Sequence, residues 1–224
     1  MIRLSHVSKV FNADTKNPFY ALSDISFSLQ RGEVLWLKGA SGSGKSTLLS
    51  LIAGLSKPTQ GEIIVNDKRI SKLPDAFASL FRRENIGFIF QKFNLIPTLS
   101  AHDNIIVPLI PSNSDEVLLK KRVDSLMHDF GIESKKETLV KHLSGGEQQR
   151  VVICRALINQ PSIIIADEPT ANLDEALSLE FITILKTLKA EGKTIIIASH
   201  DSLFGDVDFI DRHIEIAKGR LLSC

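Results

Sequence analysis

The sequence predicts an α/β protein with a parallel-sheet core, an N-terminal antiparallel β subdomain and an inserted α-helical subdomain. Three observations carry that prediction. The runs VLWL at 34–37, IIIA at 163–166 and TIIIA at 194–198 are apolar at nearly every position, as strands covered by helices on both faces must be. The first thirty residues instead alternate, most clearly at Ile25, Phe27 and Leu29, which is the period of a strand with one face buried. Residues from about 92 to 141 show no buried-strand pattern and carry two amphipathic helical stretches.

Taken in order, the alternating N-terminal stretch and GEIIVNDK at 61–68, a short strand running into a turn, predict a small antiparallel sheet. The buried strand at 34–37 runs into a glycine-rich loop and then an apolar helix at 48–53. The apolar stretch 86–90 reads as a further strand ending at Gln91. Pro108, Pro111 and the capping residues Ser114 and Asp115 split the two helical stretches that follow. A capping box, Ser144 at the N-cap and Glu147 at N3, opens an amphipathic helix through Val151, Val152, Ala156 and Leu157 that stops at Pro161. Beyond the strand at 163–166, Leu177, Phe181, Ile184, Leu185 and Leu188 recur at helical spacing between Asp174 and Gly192. With the strand at 194–198 they make a strand, helix, strand crossover. The whole chain, 1–224, reads as a single domain, with the helical subdomain at about 92–160 inside it.

Composition bounds the function. The chain has 224 residues, 43% hydrophobic and 24% charged, enough for a sizeable core. Its 27 Lys and Arg against 26 Asp and Glu give no general electrostatic reason to expect nucleic acid or an anionic lipid surface as a partner. Two cysteines, Cys154 and Cys224, make a poor disulfide framework, the opening residues lack a signal peptide's apolar stretch, and no apolar run approaches a bilayer-spanning length. A reducing cytoplasm is the expected location, with any membrane contact made through a partner. Cys154 is expected to behave as a small hydrophobe.

GASGSGKST, residues 39–47, has the strand before and the helix after that a P-loop requires. Gly39, Ala40, Ser41, Gly42, Ser43 and Gly44 let successive backbone N–H groups converge on one point at the N-terminus of the next helix. Lys45 reaches the β and γ phosphates, Ser46 supplies a hydroxyl for Mg²⁺, and Thr47 completes the motif. A nucleoside triphosphate is the natural ligand. IIIADE at 163–168 ends a buried strand in two acids with separable jobs: Asp167 to hold Mg²⁺ through its water shell and Glu168 to accept a proton from an attacking water. The plainer alternative is a strand ending in solvated acids before a turn.

HLSGGEQQR at 142–150 makes a second cradle. Two glycines, Gly145 and Gly146, are a costly way merely to start a helix. Bare backbone at a helix N-terminus admits an anion, so Ser144, Gly145, Gly146 and Glu147 form a γ-phosphate site. Reaching the P-loop's own nucleotide from its far side within one compact domain is awkward, so a neighbouring copy is the expected user.

GASGSGKST, LSGGEQQR, IIIADEP and the single histidine of ASHD at 198–201 together resemble ATP-binding cassette (ABC) ATPases over nearly the whole chain. The resemblance implies head-to-tail dimers that sandwich two ATP molecules between one subunit's P-loop and the other's signature. It further implies that Gln91 is the Q-loop glutamine contacting Mg²⁺ and water, Asp174 the D-loop aspartate, His200 the switch histidine on the γ-phosphate, and Tyr20 the aromatic that stacks on adenine. Read alone, Gln91 is a polar residue after a strand, His200 a helix cap and Tyr20 a packing residue.

The segment FQKFNLIPTLSAHDNI at 90–105, with the ANLD turn at 171–174, is similar to the MacB, LolD and FtsE group of exporter-type cassettes. That resemblance implies a homodimer or paired cassette, peripheral on the cytoplasmic face of the cell membrane beneath a separate integral-membrane permease that it drives by ATP closure. Phe93, Leu95, Leu99 and Ile105 either line a groove for the permease or pack locally. Two other classes compete: a soluble ABC ATPase acting on nucleic acid or the ribosome, which calls for two cassettes or a long coiled coil, and a P-loop kinase or GTPase, which would have no use for LSGGEQQR. The chain shows neither a second cassette, nor a coiled coil, nor an Asn-Lys-x-Asp guanine motif.

Overall fold

The computed structural model describes residues 1–110 and 116–223. Pro111, Ser114, Asp115 and Cys224 lie outside the described residues.

The chain begins with β1 (Ile2–Phe11) and β2 (Phe19–Leu29), then β3 (Val34–Lys38), α1 (Lys45–Ile52), β4 (Gln60–Val65) and β5 (Lys68–Arg69). There follow α2 (Asp75–Asn85), β6 (Ile86–Ile89), α3 (Ala101–Ile106), α4 (Glu116–Asp129) and α5 (Gly145–Leu157). The last elements are β7 (Ile163–Asp167), α6 (Glu175–Ala190), β8 (Thr194–Ser199), β9 (Arg212–Ala217) and β10 (Arg220–Ser223). Two sheets result. One is antiparallel, in the order β2-β1-β4-β5; the other has six strands in the order β10-β9-β3-β8-β7-β6 and is parallel except for β10.

Both expected sheets are present, because the two hydrophobic periods require different surroundings. In β3, Leu35 and Leu37 face a cluster that contains α1 and the inner face of the antiparallel sheet, with Leu4, Ile25, Leu48 and Ile63. Val34 and Trp36 face the other way, onto Phe181 and Leu185 of α6 and Val152 and Ile153 of α5. Every residue of β7 and β8 is buried, so neither strand has a polar face. Each fully covered Ile or Leu contributes roughly 1.5–3 kcal/mol relative to exposure, which makes this double-sided core the main source of stability.

A third cluster joins Ala101, Ile105, Val123, Met127 and Ile132 to Val151, Cys154 and Ile158. The helix α5 therefore has two apolar faces, one toward the sheet and one toward the helical region. Cys154 is fully buried there and its thiol pKa is pushed up by burial, the behaviour of a small core residue.

Two elements carry signals the sequence reading passed over. The helix α2 puts Ala78 and Phe81 inward at helical spacing. The hairpin β9–β10 alternates buried Ile214 and Ile216 with more exposed neighbours, and turns at Lys218-Gly219, both with positive φ. No helix among the described residues is long and apolar enough to cross a membrane.

Candidate functional site

Strands β3, β8, β7 and β6 are parallel neighbours, so their C-terminal ends lie side by side along one edge of the sheet. Ligands of open α/β sheets bind outside such ends. Here the four ends deliver the P-loop after β3, His200 after β8, Asp167 and Glu168 at the end of β7, and Gln91 after β6. A cavity of about 230 Å³ is bounded by Ser41 to Thr47 together with Gln91, Glu168 and His200. Residues far apart in the chain meet because strand order, not chain order, sets their neighbours.

The P-loop closes on α1 through Gly44, whose φ is +110°, and a side chain there would come within 2.8 Å of the Ala21 carbonyl. Only glycine fits. The Lys45 ammonium, 5% exposed, donates to the carbonyls of Gly39 at 2.6 Å and Ala40 at 3.1 Å and lies 3.0 Å from Glu168 Oε1. His200 Nδ1 is 2.9 Å from Glu168 Oε2. The Ser46 hydroxyl donates to Asp167 Oδ1 at 3.0 Å. Within the loop, the buried Ser43 hydroxyl has no hydrogen-bond partner among the described residues. An unpaired buried hydroxyl carries a desolvation cost of about 1–3 kcal/mol, which an acceptor such as a phosphate oxygen would relieve.

Glu168 departs from ordinary strand geometry: its φ is +46°, the left-handed region, and its own N–H donates to Ala198 O at 2.7 Å. Such a conformation costs about 1–3 kcal/mol and persists only where the surroundings impose it. It turns the carboxylate back across the strand ends toward Lys45 and His200. Burial raises both acids. For Glu168 the bonds from Lys45 and His200 outweigh burial and hold the carboxyl below its usual range. For Asp167 burial wins, with the nearby Glu168 charge adding to it against the Ser46 bond, and the carboxyl is raised.

The capping box at Ser144 forms as the sequence predicts, away from the P-loop cavity. Ser144 caps α5, accepting from the Glu147 N–H at 3.3 Å, while Glu147 Oε2 accepts from the Ser144 N–H at 2.8 Å. Neither Ser144 nor Gly145 borders the P-loop cavity. Both are exposed, and nothing lies within 4 Å of where a Gly145 side chain would point. Gly146 differs from the expectation of an open anion seat, because a side chain there would meet Leu177 of α6 at 2.8 Å. Its bareness serves helix packing. Glu147 differs too: its carboxylate is folded onto the cap and paired with Lys135 at 3.1 Å, and a free acid there would repel phosphate. That leaves the Ser144 hydroxyl and the first amides of α5, which have no acceptor within the helix, as the open donors. Asp174 caps α6, accepting from Leu177 N–H at 2.9 Å, and does not border the P-loop cavity.

Tyr20 does not reach the cavity. Successive residues of a strand point to opposite sides, and it is Phe19 and Ala21 that border the P-loop hollow, leaving Tyr20 64% exposed. Phe19 stacks with Phe11 across the β1–β2 pair at 6.4 Å, so an aromatic surface is present, one residue from the expected place. Of the two readings of the apolar segment after Gln91, local packing is the one observed: Ile105 is wholly buried, and Phe93 and Leu95 pack into the two helical-side clusters. A groove of about 330 Å³ runs instead between Leu55, Arg83, Phe88, Phe90, Pro108 and Arg155. The signal was available, since Phe88 near the end of β6 and Phe90 just beyond it are two positions apart, and their rings stack at 4.2 Å. A larger groove of about 630 Å³, between α4, α5 and α6, holds none of the P-loop residues.

Comparison with known proteins agrees with this geometry. The ABC transporter family model matches residues 22–171. The cell division ATP-binding protein FtsE of Escherichia coli (strain K12) is 39% identical over 201 residues, covering 90% of this chain and 88% of FtsE. The macrolide export ATP-binding/permease protein MacB of Agrobacterium fabrum is 39% identical over 223 residues, all of this chain but 34% of MacB. Among solved structures, the dimeric post-hydrolysis state of the ATP-binding cassette MJ0796, bound to ADP and Pi, superposes with a TM-score of 0.91 at 36% identity. That match covers 100% of this chain and 97% of the other.

Proposed function

The chain belongs to the ABC transporter family, and from that premise we propose that it is the ATP-hydrolysing subunit of a membrane transporter, completing each of its active sites by pairing with a second copy. The observation that carries this reading is the separation of the two cradles: the P-loop cavity gathers Lys45, Gln91, Glu168 and His200, while the open Ser144 cap faces solvent elsewhere on the same chain. Two head-to-tail copies would set each cap on the other's triphosphate. The matched cassette MJ0796 is itself a dimer.

In this reading ATP lies along the P-loop with its phosphates on the amides of residues 39–47 and on the Ser43 hydroxyl, and its base against the Phe11–Phe19 pair. Lys45 exchanges Glu168 for the β and γ phosphates. Ser46 and Asp167, oxygen donors already 3.0 Å apart beside the loop, suit Mg²⁺, with the Gln91 amide oxygen as a further ligand. Bound there, the ion would neutralise charge on the phosphate oxygens. Glu168, held below the ordinary carboxylate range, is ionised at neutral pH and accepts the proton of a water attacking the γ-phosphorus. The bond to the bridging oxygen breaks and ADP leaves with it. His200 donates to the γ-phosphate, and Asp174 supports the partner's approach.

The groove at Leu55, Phe88, Phe90 and Pro108 is the seat for the permease, so the chain works at the cytoplasmic face of the membrane through that contact. The test of shared sites uses Glu168→Gln, which keeps ATP and slows its hydrolysis. Light scattering should show ATP-dependent dimers of that variant, and adding Ser144→Arg should abolish them while ATP affinity stays within about twofold, the charge falling on the interface alone. Dimers that survive Ser144→Arg would sink the reading.

A further inference from the structure

Residues 91–100 contain no helix or extended strand, yet they carry Gln91 to the P-loop cavity and lead into α3. A segment without its own hydrogen-bond ladder must take its position from side chains around it. Three provide it. Fully buried Asn104 donates to Ile96 O at 3.1 Å and accepts from Ile96 N–H at 2.7 Å, anchoring the far half to α3. Arg155, on α5, donates to Asn94 O at 2.6 Å and Phe93 O at 2.7 Å. Asn172, in the turn between Glu168 and Asp174, donates to Gln91 O itself at 2.8 Å.

The charge of Arg155 is met by the main chain. Burial lowers its pKa, and no acid pairs with it among the described residues, so main-chain carbonyls are what compensates its charge. A guanidinium offers rigidly parallel donors, and here the fork spans two consecutive carbonyls, a geometry a lysine ammonium cannot reproduce. Arg155 lies ten positions along the helix that Ser144 caps, about 15 Å at the helical rise. Asn172 lies two positions from Asp174, which caps α6.

We propose that Arg155 and Asn172 are positioning residues that hold the Gln91–Asn94 segment from two sides, tying it to the Ser144-capped helix α5 and to the arm between Glu168 and Asp174. Neither touches the nucleotide. Each acts through the main chain of the segment, so that Gln91, the signature cap and the Asp174 turn keep one relative placement when two copies close. This rests on the reading of Gln91 and Ser144 given above.

The test compares Asn172→Ala, Arg155→Lys and the double variant in full-length protein. Asn172 is exposed, so its loss leaves the core intact. Each single change should lower kcat about tenfold with KM for ATP unchanged, and Asn172→Ala should also leave Tm unchanged, because a small misplacement of a positioned group costs turnover and not ground-state binding. The double variant should be no slower than about the worse single one, since both act on one segment. Hydrogen exchange at residues 92–94 should accelerate in each. Additive losses, unchanged kcat in Asn172→Ala, or a fall in Tm and KM alone would overturn the proposal. If Arg155→Lys does not fold, the Asn172→Ala turnover and exchange results decide alone. Lys45→Ala serves as the control: should it still bind ATP, the nucleotide site itself is misassigned, a failure separate from that of the clamp.

Discussion

Asp167 and Glu168 are adjacent and both buried, yet their neighbours move their proton affinities in opposite directions. The consequence for stability has two signs. A lowered carboxyl contributes stability that is present above its unfolded value and lost as pH falls through the folded value; a raised one contributes stability below its unfolded value and loses it as pH rises. At neutral pH Glu168 therefore supports the fold and Asp167 costs it. Glu168→Gln leaves buried Lys45 with only carbonyl acceptors, a loss of up to about 3–5 kcal/mol, and should lower Tm without nucleotide. Asp167→Asn keeps the Ser46 bond, removes the buried charge, and should raise Tm by about 2–4 °C for each kcal/mol recovered while ending metal-dependent turnover. Thermal scans from pH 7 into the carboxylate range should show both differences shrinking; two shifts of the same sign would contradict the assignment.

At the scale of elements, the start of α5 separates packing from recognition within two residues. Gly146 lies against Leu177, so Gly146→Val overpacks the α5–α6 contact and should cost about 1–3 kcal/mol of stability. Gly145 has open space around it, and Gly145→Ala removes backbone freedom, raising stability by up to about 1 kcal/mol. The same methyl group stands where a partner's phosphate would approach, so ATP-driven dimerisation of the Glu168→Gln protein should weaken even as denaturation midpoints rise. A Gly145→Ala protein that dimerises as well as its parent would leave the cap without a role in closure.

For the molecule as a whole, the two sheets and the helical region meet around α1 and α5, and each helix faces two clusters or a cluster and a site. The helix α5 packs on both the sheet-side and the helical-side clusters and so couples the two regions. The groove proposed above for the permease lies on that seam, between α2, β6 and the helical side. Leu55, 47% exposed, borders it and lies outside the nucleotide cavity. Leu55→Asp should leave the subunit's own ATP hydrolysis within about twofold, since surface changes away from a site rarely exceed about 0.5 kcal/mol, and should abolish co-purification with the membrane subunit. Retained co-purification would place the docking surface elsewhere.

The two kinds of sheet, the P-loop, the paired acids, both helix caps at Ser144 and Asp174, and the ABC resemblance were legible in the sequence by itself, because each depends on residues within a few positions of one another. Hydrophobic period and loop chemistry are local properties. Tertiary structure decided that Phe19 and not Tyr20 borders the cavity, since strand register sets which face a side chain takes. It also decided that Gly146 answers to Leu177, that Lys45 and His200 both hold Glu168, and that Arg155 and Asn172 grip the Gln91 segment. Those contacts join residues about 30 to 120 positions apart, and no local pattern records which distant group the packing of strands and helices will bring within bonding distance.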